Sequence, residues 1–373
     1  MNRRPLSLPA RPLTRRDFAR GVISVAALGA LAACGSDTGT TAASTTSPSE
    51  APASTPSSAA ATSASEASSG SATSSSAPAD SFPVTIPNKF GDTVIESAPT
   101  TVVSVGLTEQ DFLLALGVVP AAVTDWYGDQ PNAIWPWAKE ALGSATPPPV
   151  LSSADGVPYL DVAKLKPDLV VGVNAGLDQA AYDQLTKIAP TLATPADSQS
   201  EYFDSWPLYL SVISEALGKS AEGEQIKTDL DAQFAKAAAD NPEFAGKKVI
   251  FLQNAVYDGN FYAYPKGLGT EFLTDLGFDI PSEIDEYVPA EGGQALVPAE
   301  RIAVLDAADY LVWATESNED KAALEALPGF SDLKAVKAGK SIYTGAILSG
   351  AIYFSTPLSL PYVIENLVPL LQA

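Results

Sequence analysis

The chemistry open to this chain is limited by two scarce residue types. Its 373 residues include no histidine and a single cysteine, Cys34. A Ser-His-Asp triad, a Cys-His pair and a zinc site built from His and Cys are therefore impossible. Met1 is the only methionine, so haem could be ligated only by tyrosine in the mature chain. Catalysis by carboxylates alone remains open, and Asp258 and Glu271 can be named for it, although no motif supports them.

Aromatic residues, which can stack on ligands, are concentrated in two segments. The first contains Trp126, Tyr127, Trp135 and Trp137. It follows a predicted strand, and open α/β sheets bind ligands at the carboxyl ends of their strands. The second, which we predict to be a loop, contains Tyr257, Phe261, Tyr262 and Tyr264. These rings either form a wall for a ligand or close a core under a long loop, and we expect the first segment to supply at least one ligand contact.

A third feature lies near the end of the chain, where Ser349, Gly350 and Ala351 precede Tyr353 and Phe354. Such small residues indicate a backbone that approaches something closely, either the edge of a ligand or the other half of the protein. Our candidates for ligand contacts in a cleft are Trp126, Tyr127, Trp135, Trp137, Tyr257, Tyr262, Lys266, Trp313 and Tyr353.

The elements that must position these residues alternate between strands and helices. The predicted strands cover residues 101–106, 118–124, 169–173, 190–194, 248–253 and 341–343, after a hairpin at 82–94. Helices are predicted from Thr108, over 177–188 and over 358–367, with Pro369 just beyond the last one. This alternation predicts an α/β fold with two Rossmann-like lobes and mainly parallel sheets.

A long helix is predicted between the two halves. Apolar residues from Phe203 to Leu217 recur at spacings of three and four, which favours a helix that starts near Pro207. After Gly218, a second helical stretch covers residues 219–240, with a narrow apolar stripe at Ile226, Leu230, Phe234 and Ala237. We therefore predict an N-terminal lobe at 82–218, a connecting helix at 219–240 and a C-terminal lobe at 241–373. Weak internal symmetry supports two similar lobes, because residues 112–120 and 161–171 are echoed at 272–281 and 301–313.

The first 81 residues are typical of a secretory targeting signal followed by a flexible tether. Arg15 and Arg16 form a twin-arginine pattern before a short apolar run, which indicates a secretory signal peptide at residues 1–33. The run ends in Leu-Ala-Ala-Cys-Gly, which resembles a bacterial lipobox and implies a lipid on Cys34. Residues 34–81 are rich in Ser, Thr, Ala and Pro, so we expect a disordered tether. The net charge of −22 argues against nucleic acid as a partner.

The order of these motifs resembles one family. Val-Val-Ser-Val-Gly at 102–106, Leu-Gly-Val-Val-Pro at 116–120, Leu-Lys-Pro-Asp-Leu-Val-Val at 165–171 and Leu-Ser-Leu-Pro-Tyr-Val at 358–363 follow the lipobox. The chain is similar to the substrate-binding lipoproteins of iron–siderophore ABC importers, a class of periplasmic binding protein whose lobes are joined by one long helix. The segment 124–137 resembles an actinobacterial type of that family.

The resemblance implies a binding protein without catalysis, intrinsic cofactor or metal. It implies a lipid-anchored monomer on the outer face of the cell membrane that takes a ferric siderophore between its lobes and delivers it to a permease with a cytoplasmic ATPase. In the family, one acidic residue on each lobe docks onto the permease; Glu300 matches one, while Leu160 stands at the other position and Asp161 follows it. Few basic residues, Lys266 and Arg301, are candidates to hold an anionic complex, so a neutral or hydrophobic one is favoured. Haem, or another metal chelate, is the alternative ligand.

Overall fold

The structure is a computed structural model, and it describes residues 81–154, 156–290 and 292–373. The predicted signal peptide, the lipid on Cys34 and the tether up to residue 80 lie outside the described residues. We call residues 82–218 the first lobe and residues 241–373 the second lobe. Within the described ranges, no helix has the length and apolar character needed to cross a membrane.

The first lobe alternates strands and helices after an antiparallel hairpin. Its strands are β1 (Val84–Asn88), β2 (Gly91–Ile95), β3 (Val102–Ser104), β4 (Val123–Thr124), β5 (Val150–Leu151), β6 (Leu169–Val171) and β7 (Thr191–Leu192). Its helices are α1 (Glu109–Ala115), α2 (Lys139–Leu142), α3 (Tyr159–Leu165), α4 (Gln179–Leu185) and α5 (Trp206–Ala216). Strands β3, β6 and β7 form a parallel sheet in that order, and β4 pairs in parallel with β5.

The predicted strand at 118–124 is reduced to β4 because its first residues close helix α1. Gly117 has a φ of 72°, and the backbone N–H of Val118 donates to the carbonyl of Leu113. This is a helix C-cap in which glycine supplies the left-handed residue. The corresponding segment of the second lobe, residues 272–281, closes helix α7 in the same way. Gly277 has a φ of 98°, and the backbone N–H of Phe278 donates to the carbonyl of Leu273. The internal symmetry read from the sequence therefore includes a shared cap.

The connecting helix is α6 (Ser220–Asp240), which at 21 residues is about 31 Å long. Of its predicted stripe, Leu230, Phe234 and Ala237 are buried and Ile226 is half-buried. Helix α5 has its proline in the first turn, also as predicted. Phe203 shares the apolar spacing but lies before the helix, with a φ of 54°, which agrees with the predicted start near Pro207.

The second lobe contains one five-stranded sheet in the order β10-β9-β8-β11-β12. Its strands are β8 (Val249–Tyr257), β9 (Asn260–Ala263), β10 (Ala295–Pro298), β11 (Tyr310–Ala314) and β12 (Ser341–Tyr343). Its helices are α7 (Glu271–Asp275), α8 (Asn318–Glu325), α9 (Lys334–Lys337), α10 (Gly345–Phe354) and α11 (Ser359–Gln372). Strands β8, β11 and β12 are parallel, whereas β9 and β10 are antiparallel to their neighbours.

Two predictions about the second lobe are wrong. The second aromatic segment is not a loop but the hairpin of β8 and β9, whose turn residues Asp258 and Gly259 both have positive φ; an Asp-Gly turn of this kind matches the twist of paired strands. Helix α11 continues to Gln372 with Pro369 inside it. Pro369 has no backbone N–H to donate within the helix. The helix nevertheless continues, because its apolar face stays buried as far as Leu371, which is fully buried.

Candidate ligand-binding site

The first aromatic segment lies in the loop after β4 and packs across the interface between the lobes. Trp135 stacks on Trp137, with ring centroids 4.7 Å apart and an interplanar angle of 14°. Both rings contact Phe354 of α10 in the second lobe, at 5.5 and 5.4 Å. Only 2% of Trp135 and 9% of Trp137 is exposed. These two tryptophans therefore join the lobes, in one apolar core with residues of both.

We define the interlobe aromatic cluster by its rings from both lobes. It consists of Trp126, Tyr127, Trp135, Trp137 and Phe203 of the first lobe with Tyr353 and Phe354 of the second.

Two glycines make room for the buried part of this cluster. A Cβ atom on Gly128 would lie 2.4 Å from the ring of Trp135, and one on Gly350 would lie 2.6 Å from it. Gly350 is the central residue of the small stretch near the end of the chain. Of the two explanations offered for that stretch, the structure supports close packing between the lobes.

The other part of the cluster, which we call the rim, consists of half-buried Trp126, Tyr127 and Tyr353 and exposed Phe203. Trp126 lies 4.5 Å from Tyr127 and 4.8 Å from Phe203, measured between ring centroids. Tyr127 lies 6.4 Å from Tyr353, so the rim contains rings of both lobes. Phe203 is 38% exposed. The rim therefore offers ring surface to solvent at the junction of the lobes.

Phe203 is a rim residue that sequence reasoning missed. It follows β7 and precedes α5, and its backbone N–H donates to Oδ1 of Asn174 at 2.9 Å. Asn174 follows β6 in the chain. Its position after a strand of the parallel sheet is the feature that could have marked Phe203 as a ligand candidate. The helical spacing that Phe203 shares with the following residues instead suggests a role in helix packing.

The remaining candidates make contacts of other kinds. Trp313 has no exposed surface, and its indole N–H donates to the hydroxyl of Ser341 at 3.1 Å. Tyr262 is buried as well. Tyr257 is half-buried, and its hydroxyl donates to Asn254 at 2.6 Å. Lys266 is exposed in the loop after β9.

Tyr264, from the same segment, reaches the rim. Its centroid lies 6.4 Å from that of Tyr353. Phe251 of β8 lies 6.1 Å from Tyr353 on the same side. The rim therefore continues into the second-lobe sheet through these two rings.

Two fully buried carboxylates lie at the start of α1, and no local sequence pattern indicates their burial. Glu109 accepts hydrogen bonds from the backbone N–H groups of Asn174, at 2.8 Å, and Thr108, at 3.0 Å. Burial raises the pKa of Glu109 to about 7 despite these bonds. Burial also raises the pKa of Asp111 to about 6, against hydrogen bonds from Thr356 and Trp137. Both groups are sealed from solvent and so offer no carboxylate to a substrate.

Acidic groups also flank the rim. Asp125 directly precedes Trp126. The pKa of Asp125 is raised, mainly by burial and secondly by the charge of Asp129. By contrast, Asp258 and Glu271, the carboxylates named for catalysis, are exposed residues of the β8–β9 turn and the start of α7. In the described ranges, no group of three or more His, Cys, Asp or Glu side chains is arranged to hold a metal ion.

The two predicted docking acids are both exposed. Glu300 lies in the first turn of a 3-10 helix, Ala299–Ala307. Asp161 lies in the first turn of α3, where its carboxylate pairs with Lys164 at 2.6 Å. Its neighbour Leu160 is 79% exposed.

Two surface grooves lie away from the cluster. One of about 590 Å³ runs along edge strand β12, beside Lys321 and Tyr343. The other, of about 380 Å³, lies beside Tyr159 and Asp178 in the first lobe. Neither groove is lined by a ring of the cluster. We base the ligand site on the rim because it combines half-exposed rings of both lobes, whereas each groove belongs to one lobe.

Two α/β lobes joined by a long helix are the features of a two-lobed solute-binding protein. The chain belongs to the periplasmic binding protein family, whose model matches residues 102–348. A periplasmic solute binding protein of Mycobacterium smegmatis is 43% identical to it, with a TM-score of 0.71; the match covers 78% of this chain and 97% of that one.

Relatives with a stated ligand are more distant. PiaA of Streptococcus pneumoniae, solved in complex with ferrichrome, is 26% identical, with a TM-score of 0.66 over 77% of this chain and 97% of PiaA. The ferric enterobactin-binding periplasmic protein FepB of Escherichia coli is 27% identical over 212 residues, which are 54% of this chain and 63% of FepB. Among the curated relatives, the matches cover 43% to 64% of the relative's own length.

Proposed function

We propose that this chain is an extracytoplasmic binding protein that captures a ferric siderophore between its lobes and delivers it to an ABC importer, without catalysing a reaction. The observation that carries the proposal is the rim, where rings of both lobes stand half-exposed at one junction. Membership of the periplasmic binding protein family supports it. So do the ferrichrome complex of PiaA and the enterobactin named for FepB.

The charge around the rim favours a neutral or hydrophobic ferric complex. Asp125 and Asp129 follow β4 beside Trp126, and an anionic complex would be repelled by them. The second lobe offers Lys266 in an exposed loop and Arg301 as the only arginine after residue 20. Aromatic side chains contribute area and stacking to a neutral chelate without needing a counter-charge. A ferric trihydroxamate is the simplest complex of this kind.

The proposed contacts are the four rim rings and Tyr264. Trp135, Trp137, Tyr262 and Trp313 are left out because their rings are buried. Tyr257 and Lys266 stay as contacts for a ligand large enough to reach the second-lobe hairpin and the loop after it.

Titration of the chain with a panel of complexes, followed by tryptophan fluorescence, tests the ligand class. The panel contains a neutral ferric trihydroxamate, an anionic ferric catecholate, ferric citrate and haem, each beside its iron-free form. We expect the neutral complex to quench at the lowest concentration. Quenching by haem alone would replace the siderophore with haem, and hydrolytic activity without any quenching would contradict a transport role.

We further propose that the lipid on Cys34 holds the protein at the membrane and that exposed acids dock it on the permease. Glu300 stands at the docking position of the second lobe, with its side chain exposed. Asp161 is the counterpart in the first lobe, although its carboxylate is already paired with Lys164. Glu300 is therefore expected to dominate.

Glu300→Ala should leave ligand affinity and stability unchanged and abolish uptake in cells, because it removes an exposed charge that is not part of the rim. Asp161→Ala should reduce uptake less, since Lys164 already screens that charge. Glu224→Ala, on the exposed face of α6, is the matched control and should transport normally. Affinity titrations and uptake of labelled iron measure these effects. Loss of ligand affinity in Glu300→Ala would show that the residue does not act in docking.

A further inference from the structure

A single carboxylate oxygen connects the two lobes inside the protein. Oδ2 of Asp111, in helix α1 of the first lobe, accepts a hydrogen bond of 2.7 Å from the indole Nε1 of Trp137. The same oxygen accepts a second hydrogen bond of 2.7 Å from the hydroxyl of Thr356 in the second lobe. Asp111 and Thr356 have no exposed surface. Water therefore does not compete for this contact.

Thr356 is itself held rigidly, at the start of helix α11. Its Oγ1 accepts from the backbone N–H of Ser359 at 3.0 Å, while its own N–H donates to the hydroxyl of Ser359 at 2.9 Å. Its carbonyl accepts from the N–H of Leu360 at 3.0 Å. The hydroxyl hydrogen of Thr356 is thus directed at Asp111, and the first turn of α11 takes its position from the first lobe.

The other end of the contact leads to the aromatic cluster. Trp137 stacks on Trp135, which lies 5.4 Å from Tyr127 of the rim. On the second-lobe side, Phe354 and Tyr353 precede Thr356 by only two and three residues. Asp111 therefore holds together the two chain segments that carry the first-lobe and second-lobe parts of the rim.

The arrangement is costly for a contact that only stabilises the fold. The second oxygen of Asp111, Oδ1, is buried and has no hydrogen-bond partner among the described residues. A well-packed apolar side chain would avoid that penalty, so buried polar contacts of this kind are better explained by the specific geometry they impose.

We propose that Asp111 is a positioning residue for ligand binding: by joining Thr356 to Trp137 it sets the angle at which the two halves of the rim face the ligand. The inference rests on the proposed function for its ligand, but the contact itself can be tested without one. Asp111 does not touch the ligand. Its effect is transmitted through Trp137 on one side and helix α11 on the other.

Thr356→Val and Thr356→Ser form the decisive pair. Valine has nearly the shape of threonine but cannot donate to Asp111, whereas serine keeps the hydroxyl. Ser359→Ala is the control for the helix start, because it removes the bond to the N–H of Thr356 and leaves Asp111 untouched. Asp111→Asn, which keeps one oxygen that can accept both hydrogen bonds, is the conservative counterpart of Asp111→Ala.

Two readouts separate positioning from stability. The first is the indole N–H resonance of Trp137 in nitrogen-15-labelled protein, with the resonance of Trp313, bonded to Ser341, as an internal reference. The second is the dissociation constant for the ferric trihydroxamate. We expect Thr356→Val to shift the Trp137 resonance and to weaken binding about tenfold, because valine can neither donate to Asp111 nor accept from the N–H of Ser359. Thr356→Ser, Ser359→Ala and Asp111→Asn should stay close to the unaltered chain, and Asp111→Ala should resemble Thr356→Val.

Equal affinities of Thr356→Val and Thr356→Ser would overturn the proposal, as would an unmoved Trp137 resonance in Thr356→Val. If the unaltered chain binds no ferric complex, the proposed function fails. The Trp137 resonance then decides alone whether Asp111 joins the lobes. An Asp111→Ala chain that does not fold leaves the Thr356 pair to give the answer.

Discussion

The buried and rim parts of the interlobe aromatic cluster are built from the same residue types but differ in what surrounds them. Trp135 is enclosed by two glycines and stacked on a second tryptophan. Trp126 has similar ring neighbours, Tyr127 and Phe203, but keeps one side towards solvent. The comparison teaches that aromatic residues indicate where the lobes meet. Burial then distinguishes the rings that hold the lobes together from the rings that can contact a ligand.

Truncating one tryptophan of each part should have its largest effect on stability in the buried part. Trp135→Ala leaves a cavity between the lobes and should lower the free energy of unfolding by about 3–5 kcal/mol. Trp126→Ala removes a half-exposed ring and should cost clearly less, about 1 kcal/mol. Urea denaturation of both variants measures this. Equal losses would mean that the division between buried part and rim is wrong.

Adding one methyl group should test the packing of Trp135 against the second lobe. Gly350→Ala places a Cβ atom 2.6 Å from the indole ring, so we expect a loss of about 1–3 kcal/mol from overpacking. Trp135→Phe in the same chain should recover part of this loss, because the smaller ring vacates the space. Thermal or urea unfolding of the two single variants and the double variant gives the coupling. Additive effects would argue against the contact.

The buried carboxylate of Asp111 should give a smaller effect that depends on pH. Its pKa is raised from 3.8 to about 6 by burial, so between these values the folded chain keeps a proton that the unfolded chain has released. The stability it contributes is complete below about pH 4 and is lost as the pH rises through 6. Asp111→Asn lacks this dependence. Relative to the unaltered chain it should gain up to about 1.4 kcal/mol per pH unit between pH 4 and 6.

Asp168→Asn is the matched control for that pH series. Burial alone would raise the pKa of Asp168, but hydrogen bonds from Thr100 and Thr101 lower it. Its contribution is therefore present above about pH 4 and lost only below that pH, which is the opposite sign in a different window. Urea denaturation at several pH values measures both variants. A flat difference for Asp111→Asn between pH 4 and 6 would contradict the raised pKa.

Most of the fold could be predicted because it depends on local patterns. Helix α6 follows from the spacing of Leu230, Phe234 and Ala237, and the strands follow from short apolar runs bounded by Gly or Pro. The errors arose where local features compete. The Asp258–Gly259 turn lies within a dense aromatic segment whose composition favours a loop. Pro369 favours a helix end, although the burial of Leu371 continues the helix.

The candidate site could be predicted only by residue type. The sequence identified the tryptophans at 126–137 but not which of them are buried, because Gly350 and Phe354 enclose Trp135 from more than 200 residues away in the chain. Asp111 looks like an ordinary acid in the first turn of a helix, where the helix dipole favours it. Its burial depends on Thr356, 245 positions later, and no local pattern contains that contact.

The central claim is that the rim binds the ferric complex, and the affinity of Trp126→Ala tests it most directly. Equilibrium dialysis of a ferric trihydroxamate against the unaltered chain, Trp126→Ala and Trp313→Phe gives the three dissociation constants. The rim predicts a loss of about tenfold or more for Trp126→Ala, as for an aromatic anchor that contacts the ligand, and no change for Trp313→Phe in the second-lobe core. Unchanged binding by a folded Trp126→Ala chain would contradict the account.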